Sequence, residues 1–108
     1  MKNILITGAS TGIGAETARL LAQGNDVFVH YFSSAESAQK VAADVEQKGG
    51  KAQLVQADLS TENGCRELVK AVAAKTDKLD VLFNNAGGLK KEQMPARRSG
   101  ISWSVFLP

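Results

Sequence analysis

Short aliphatic and β-branched runs alternate along this chain with segments in which apolar residues return every three or four positions. Residues 3–7, 27–31, 52–57 and 79–83 read as strands. Between them the period is helical. From about residue 12 to 23, Ile13, Ala18, Leu20 and Leu21 fall on or near one face, and Gly24-Asn25 closes the segment as a C-cap pair. Ser33 or Ser34 can cap the next helix, in which Ala38, Val41, Ala42 and Val45 form one stripe that stops at Gly49-Gly50. Ser60 or Thr61 caps a third, with Cys65, Leu68, Val69 and Val72 at i, i+3, i+4 and i+7. That spacing gives Cys65 a packing role rather than that of a reactive thiol. The order β-α-β-α-β-α-β demands crossover connections. The expected fold class is therefore α/β: a doubly wound, Rossmann-type parallel sheet of about four strands with helices on both faces.

The rhythm breaks at Leu89. Residues 89–100 hold no sustained period and are interrupted by Pro95 and Gly100. Residues 101–107 are apolar with Ser102 and Ser104 interleaved, either a short strand or no regular element. If they make no strand, the fourth strand presents a bare aliphatic edge, a site for pairing with another copy.

The turn between the first strand and the first helix carries the candidate chemistry. It reads Thr7-Gly8-Ala9-Ser10-Thr11-Gly12-Ile13-Gly14. Backbone N–H groups at a helix start lack intrahelical partners, and the helix dipole adds partial positive charge there. Glycines let a phosphate approach that backbone closely. A strand, a glycine-rich turn and a helix within a βαβ unit make a dinucleotide site the expectation. The loop is not a P-loop, because Ile13-Gly14-Ala15 follows Gly12 where Gly-Lys-Ser/Thr would be required. The division expected is a dinucleotide-binding half-domain over residues 1–88 and an irregular tail over 89–108.

Composition narrows the partners. The 108 residues suffice for one small domain. No apolar run approaches the roughly 20 residues of a membrane span. The single cysteine fits a reducing compartment, and Met1-Lys2-Asn3 leads straight into a strand, so the expected location is cytoplasmic. A net charge of +2 is too small to argue for nucleic acid. From Lys90 on, four basic residues (Lys90, Lys91, Arg97, Arg98) face one acidic residue, Glu92, and a solvated terminus accounts for this better than an interaction arm.

The glycine spacing G-x-x-x-G-x-G at Gly8, Gly12 and Gly14, Asp58-Leu59 after the third strand, and Asn84-Asn85-Ala86-Gly87 after the fourth stand in one order, each at the carboxyl end of a strand. In this the chain resembles the short-chain dehydrogenase/reductase family, over residues 1 to about 88, and within it the 3-oxoacyl-carrier-protein reductase type. The resemblance implies roles. Gly8, Gly12, Ile13 and Gly14 would hold the pyrophosphate by backbone amides, with Ser10 and Thr11 in the same cradle. Asp58 would accept from the adenine amino group beside the Leu59 backbone. Asn85, Ala86 and Gly87 would line the adenosine ribose, and Asn84 would tie neighbouring strands together.

An NAD-selective site places an acid at the end of the second strand, on the ribose 2′-OH. Tyr31 stands there, with Ser33 and Ser34 nearby and no acid between Asp26 and Glu36. NADP is thus the expected cofactor and NAD the alternative. The family's catalytic serine and Tyr-x-x-x-Lys have no counterpart: the one tyrosine is Tyr31, and the residue four later is Ala35. The expectation is the cofactor half of an oxidoreductase, truncated or frame-shifted near Leu89 and inactive alone. The other class considered is a nucleotide-binding or interaction fragment that pairs with another chain through an open sheet edge.

Overall fold

The computed structural model describes residues 1–85 and, as backbone, the strand at 102–107. The elements are β1 (Asn3–Ile6), α1 (Gly12–Leu20), β2 (Asp26–Tyr31), α2 (Ala35–Gln47), β3 (Lys51–Gln56), α3 (Glu62–Ala73), β4 (Lys78–Phe83) and β5 (Ser102–Leu107). The strands form one sheet in the order β3-β2-β1-β4-β5, and every pairing is parallel. β1 lies between β2 and β4, with Asn3 opposite Asp26 and Ile4 opposite both Val27 and Val81.

Strand side chains alternate between the two faces, and each face is covered by helices. Ile4, Ile6, Val27 and Val29 pack beneath α1 and α2, against Ala15, Ala18, Ala38, Val41 and Val45. Leu5, Phe28 and Leu82 face the other way, against Cys65, Leu68, Val69 and Val72 of α3, and Leu79 at the start of β4 belongs to the same cluster. Burial on both faces is why the strands read as continuous apolar runs. The α3 stripe lies where the period puts it, and so does that of α2 except for Ala42, which is only half-buried; Cys65 is a core residue.

α1 departs from expectation. It ends at Leu20 rather than near residue 23, because Ala22 N–H tightens onto Arg19 and the Asn25 side chain takes the Leu21 carbonyl at 2.9 Å. Its buried face is made of Gly14, Ala15 and Ala18, followed by Ala22. Ile13 and Leu20, seven residues apart, share the outward face at 71% and 81% exposure. Small residues bring this helix onto the sheet so closely that the large ones must point away.

Of the candidate caps, Thr61 accepts from the Gly64 N–H at 2.9 Å, while Ser34 occupies the cap position of α2 without a side-chain cap hydrogen bond. Residues 102–107 take the stranded alternative: β5 runs alongside β4 from Ser102 opposite Lys78 to Leu107 opposite Phe83. The β4 edge is therefore paired, not bare, and the outer strands of the sheet are β3 and β5. The tail from 89 to 101 lies outside the described residues.

Candidate functional site

The chain leaves β1 towards β2 on one side of the sheet, and β4 lies on the other. Their carboxyl ends therefore diverge at a topological switch point, where α/β sheets open a ligand crevice. The loop from Thr7 to Thr11 sits at that point. Thr7 is buried; its N–H donates to the Phe83 carbonyl at 3.0 Å and its hydroxyl to Asn84 Oδ1 at 3.2 Å. Asn84, also buried, thus joins the ends of β1 and β4, the strand-tying role expected of it.

Gly8 is held from two directions. Its N–H donates to His30 Nδ1 at 2.9 Å, and its carbonyl accepts from Asn85 Nδ2 at 3.1 Å. Ala9 N–H then donates to the His30 carbonyl at 2.9 Å. The loop is fixed before any ligand arrives, which cuts the ordering cost of binding. Gly14 completes the packing: a Cβ there would collide with the Gly8 carbonyl oxygen and lie 2.8 Å from Asn85 Nδ2. Gly14 allows the first turn of α1 to sit directly on the loop.

That first turn suits an anion. Thr11, at the cap position, makes no side-chain cap hydrogen bond, and α1 has no acid in its first turn. The first turns of α2 and α3 carry Glu36 and Glu62, which would repel a phosphate. Gly12 adopts φ +59° with open space where a Cβ would stand. Thr11, Gly12 and Ile13 are exposed, and Ser10 is half-buried.

The other predicted residues spread along the same rim. Asp58, just past β3, accepts from Ser60 N–H at 3.0 Å and Ser60 Oγ–H at 2.6 Å, both on Oδ1. These bonds hold its carboxyl below the ordinary carboxylate range. Oδ2 has no partner among the described residues and can accept from a ligand amino group. Leu59 packs against the α3-side core. Tyr31 ends β2 partly buried against the α1/α2 core, while Ser33 is exposed two residues on. Ala86 and Gly87 lie outside the described residues.

His30 escaped the sequence reading. It is 3% exposed, and its Nε2 stands 2.9 Å from the Ala57 carbonyl. Burial pushes its pKa down, opposed in part by that carbonyl. The available signal was a lone imidazole in an otherwise apolar strand, one residue before the position at which the 2′-OH contact was sought.

Comparison with known proteins agrees with this geometry. A family model described as short chain dehydrogenase matches residues 2–103, past the point where the motifs cease. The chain is 35% identical over 107 residues to the 3-oxoacyl-acyl-carrier-protein reductase FabG of Staphylococcus epidermidis, covering 98% of this chain and 43% of that protein. It is 43% identical over 104 residues to the corresponding reductase of Synechocystis, covering 95% and 42%. This chain therefore spans less than half the length of these curated relatives. Among solved structures, a Burkholderia cenocepacia protein with bound NADP superposes with a TM-score of 0.71 at 33% identity, over 77% of this chain and 33% of that one. Acetoin dehydrogenase from Enterobacter cloacae superposes at 0.72 with 35% identity, over 78% and 34%. A glycine loop clamped at the switch point, Asp58 on the rim and a family match across most of the sequence together place this chain in the short-chain dehydrogenase family.

Proposed function

We propose that this chain is the NAD(P)(H)-binding portion of a short-chain dehydrogenase that transfers hydride between a dinucleotide and a carbonyl or hydroxyl compound. The observation that carries the reading is the Gly8–Gly14 loop, pre-set by His30 and Asn85 beneath a helix start free of acid. Gly8, Ser10, Thr11, Gly12, Ile13 and Gly14 hold the pyrophosphate. Asp58 Oδ2 accepts from the adenine amino group beside Leu59. Asn85, Ala86 and Gly87 line the ribose, with Asn85 also tied to Gly8.

The ribose 2′ position falls by Tyr31 and Ser33. No acid stands there, which favours NADP(H) over NAD(H), and the Burkholderia cenocepacia neighbour with bound NADP supports the same choice. When bound, the dinucleotide supplies the hydride; this chain's residues bind and orient it. Without the family's Tyr-x-x-x-Lys, these 108 residues bind without turning over. The relatives' reductase names support a 3-oxoacyl thioester as the substrate class of a complete protein. The lone thiol, Cys65, supports a reducing, cytoplasmic setting; among the described residues no helix is long and apolar enough to cross a membrane.

Calorimetric titration of the purified chain with NADP⁺ and with NADH, paired with an NADPH-oxidation assay on a 3-oxoacyl thioester, tests this. The expected result is binding, tighter for NADP⁺, with no turnover. No binding to either dinucleotide overturns the reading. Turnover overturns the inactive half-site, and binding that needs a second copy favours a fragment that works by association.

A further inference from the structure

We infer that His30, as a neutral imidazole protonated on Nε2, is the positioning residue of the glycine loop, joining the Gly8 amide to the Ala57 carbonyl so that the pyrophosphate end and the adenine end of the crevice are set together. The inference rests on the cofactor reading for its effect on binding, but not for its account of the loop.

The tautomer follows from the partners. A backbone N–H can only donate, so Nδ1, 2.9 Å from the Gly8 nitrogen, must be the lone-pair nitrogen. A carbonyl can only accept, so Nε2, 2.9 Å from the Ala57 oxygen, must carry the proton. Both ring nitrogens are then satisfied in a buried site. Ala57 is followed directly by Asp58, the adenine-side acceptor, and Gly8 opens the phosphate loop. One ring therefore spans β1, β2 and β3 where the crevice begins.

No other protonation state fits. An imidazolium would turn an Nδ1–H towards the Gly8 N–H, two donors facing each other. Among the described residues, the titratable groups around the ring are few. The β1 side offers Thr7 and Gly8, with no charge. The β3 end offers Asp58, whose Oδ1 is engaged by Ser60. α3 offers the buried Cys65, whose thiol donates to the Leu59 carbonyl at 3.6 Å, with Glu62 and Arg66 paired on its exposed face. Tyr31 on β2 itself faces the opposite side of the sheet. Among the described residues no carboxylate is aimed at the ring to favour its charged form.

The test uses the full chain and three variants. His30→Asn keeps a side-chain oxygen near the Nδ1 position and restores an acceptor for Gly8 N–H. His30→Gln keeps a donor near the Nε2 position but not that acceptor. His30→Leu keeps neither. Expected results are a loss of NADP⁺ affinity of about threefold to tenfold for His30→Asn and for His30→Gln, which each keep one of the two bonds, and of more than tenfold for His30→Leu, which keeps neither. In the wild type, ¹⁵N NMR should report an unprotonated Nδ1 and protonated Nε2 at neutral pH, with a slowly exchanging Gly8 amide. Affinity should fall in acid as the ring protonates, and His30→Asn should lose that limb. Equal NADP⁺ affinity in wild type and His30→Leu, or a protonated Nδ1 at neutral pH, overturns the inference. If the wild type binds no dinucleotide, the functional proposal fails, and the ring tautomer and the Gly8 amide exchange still decide the role of His30.

Discussion

Gly14→Ala sets two known effects against each other. Gly14 is the third residue of α1, where alanine is intrinsically favoured over glycine by up to about 1 kcal/mol. The added methyl has no room. It would meet the Gly8 carbonyl oxygen head-on, lie 2.8 Å from Asn85 Nδ2 and 3.0 Å from the Ala9 Cα. Two of these three obstacles are backbone, and Gly8 is anchored at both its N–H and its carbonyl, so neither can swing aside. Overpacking of this kind costs about 1–3 kcal/mol, and the rigid surroundings put Gly14 at the upper end. Net of helix propensity, Gly14→Ala should destabilise by about 1–2 kcal/mol, a fall in Tm of roughly 5–15 °C for a domain of this size. Thermal and urea unfolding followed by circular dichroism would measure it. Gly12→Ala is the comparison, because its φ of +59° is strained for alanine while the space around it is open. Its cost should be about 1–2 kcal/mol of backbone strain alone. NADP⁺ affinity should fall in Gly14→Ala, since the lifted helix start carries with it the amides proposed to hold the pyrophosphate. A Gly14→Ala variant as stable as wild type would refute the reasoning: propensity would have won, and α1 would be free to move off the sheet.

Other perturbations probe the frame around the loop. Thr61→Ala removes the α3 cap and should cost about 1 kcal/mol in urea unfolding. Asp80 accepts the Asn3 N–H at 2.8 Å and stands 3.4 Å from Lys78 Nζ. Asp80→Ala should lower stability by about 1–2 kcal/mol, because it strands that N–H at the β1–β4 junction. The backbone bond, chiefly, holds the Asp80 carboxyl below its ordinary value. Its stabilising effect is therefore fully present above the unfolded-state aspartate pKa and disappears as pH falls through the lower native one; a stability–pH profile of Asp80→Ala should lack this limb. Arg19 Nε meets Asp44 Oδ2 at 2.9 Å, linking α1 to α2, with both side chains about 30% exposed or less. Asp44→Ala should cost about 0.5–1 kcal/mol at low salt, and the difference should shrink near 1 M NaCl.

Much of this architecture is legible in the sequence, and the reasons are local. The stripe of Cys65, Leu68, Val69 and Val72 has one solution on a helix, and α3 adopts it. Gly8, Gly12 and Gly14 stand where strand meets helix, as the apolar run before them and the helical period after them indicate. In α1, apolar size is not a guide to burial. Ile13 and Leu20 are its largest apolar residues, but its contact face is chosen by how near the helix must come to the loop, and only Gly14, Ala15 and Ala18 allow that approach. His30 was invisible because its role depends on three strands meeting, a relation of register and not of spacing. Asn85 shows the same limit: the motif placed it at the ribose, and its tie to Gly8 emerged only from the pairing of β1 with β4. The partner of β4 was undecided for a similar reason, since Ser102 and Ser104 interrupt the run that becomes β5.

The parallel order of the sheet has a kinetic side. No two neighbouring strands can be joined by a hairpin. Asn3 must find Asp26 across the whole of α1, and Ile4 must find Val81 across nearly everything between. The central strand thus gains its second neighbour only after a loop most of the chain long has closed, and the entropy of that closure precedes any reward from the contact. Helices can form early, but the sheet cannot nucleate locally, so refolding belongs to the slower, millisecond-to-second regime of non-local topologies. During that interval β1 presents unpaired edges to solvent and to other copies of the chain. Yield on refolding should therefore fall with protein concentration even under conditions in which the native state is stable.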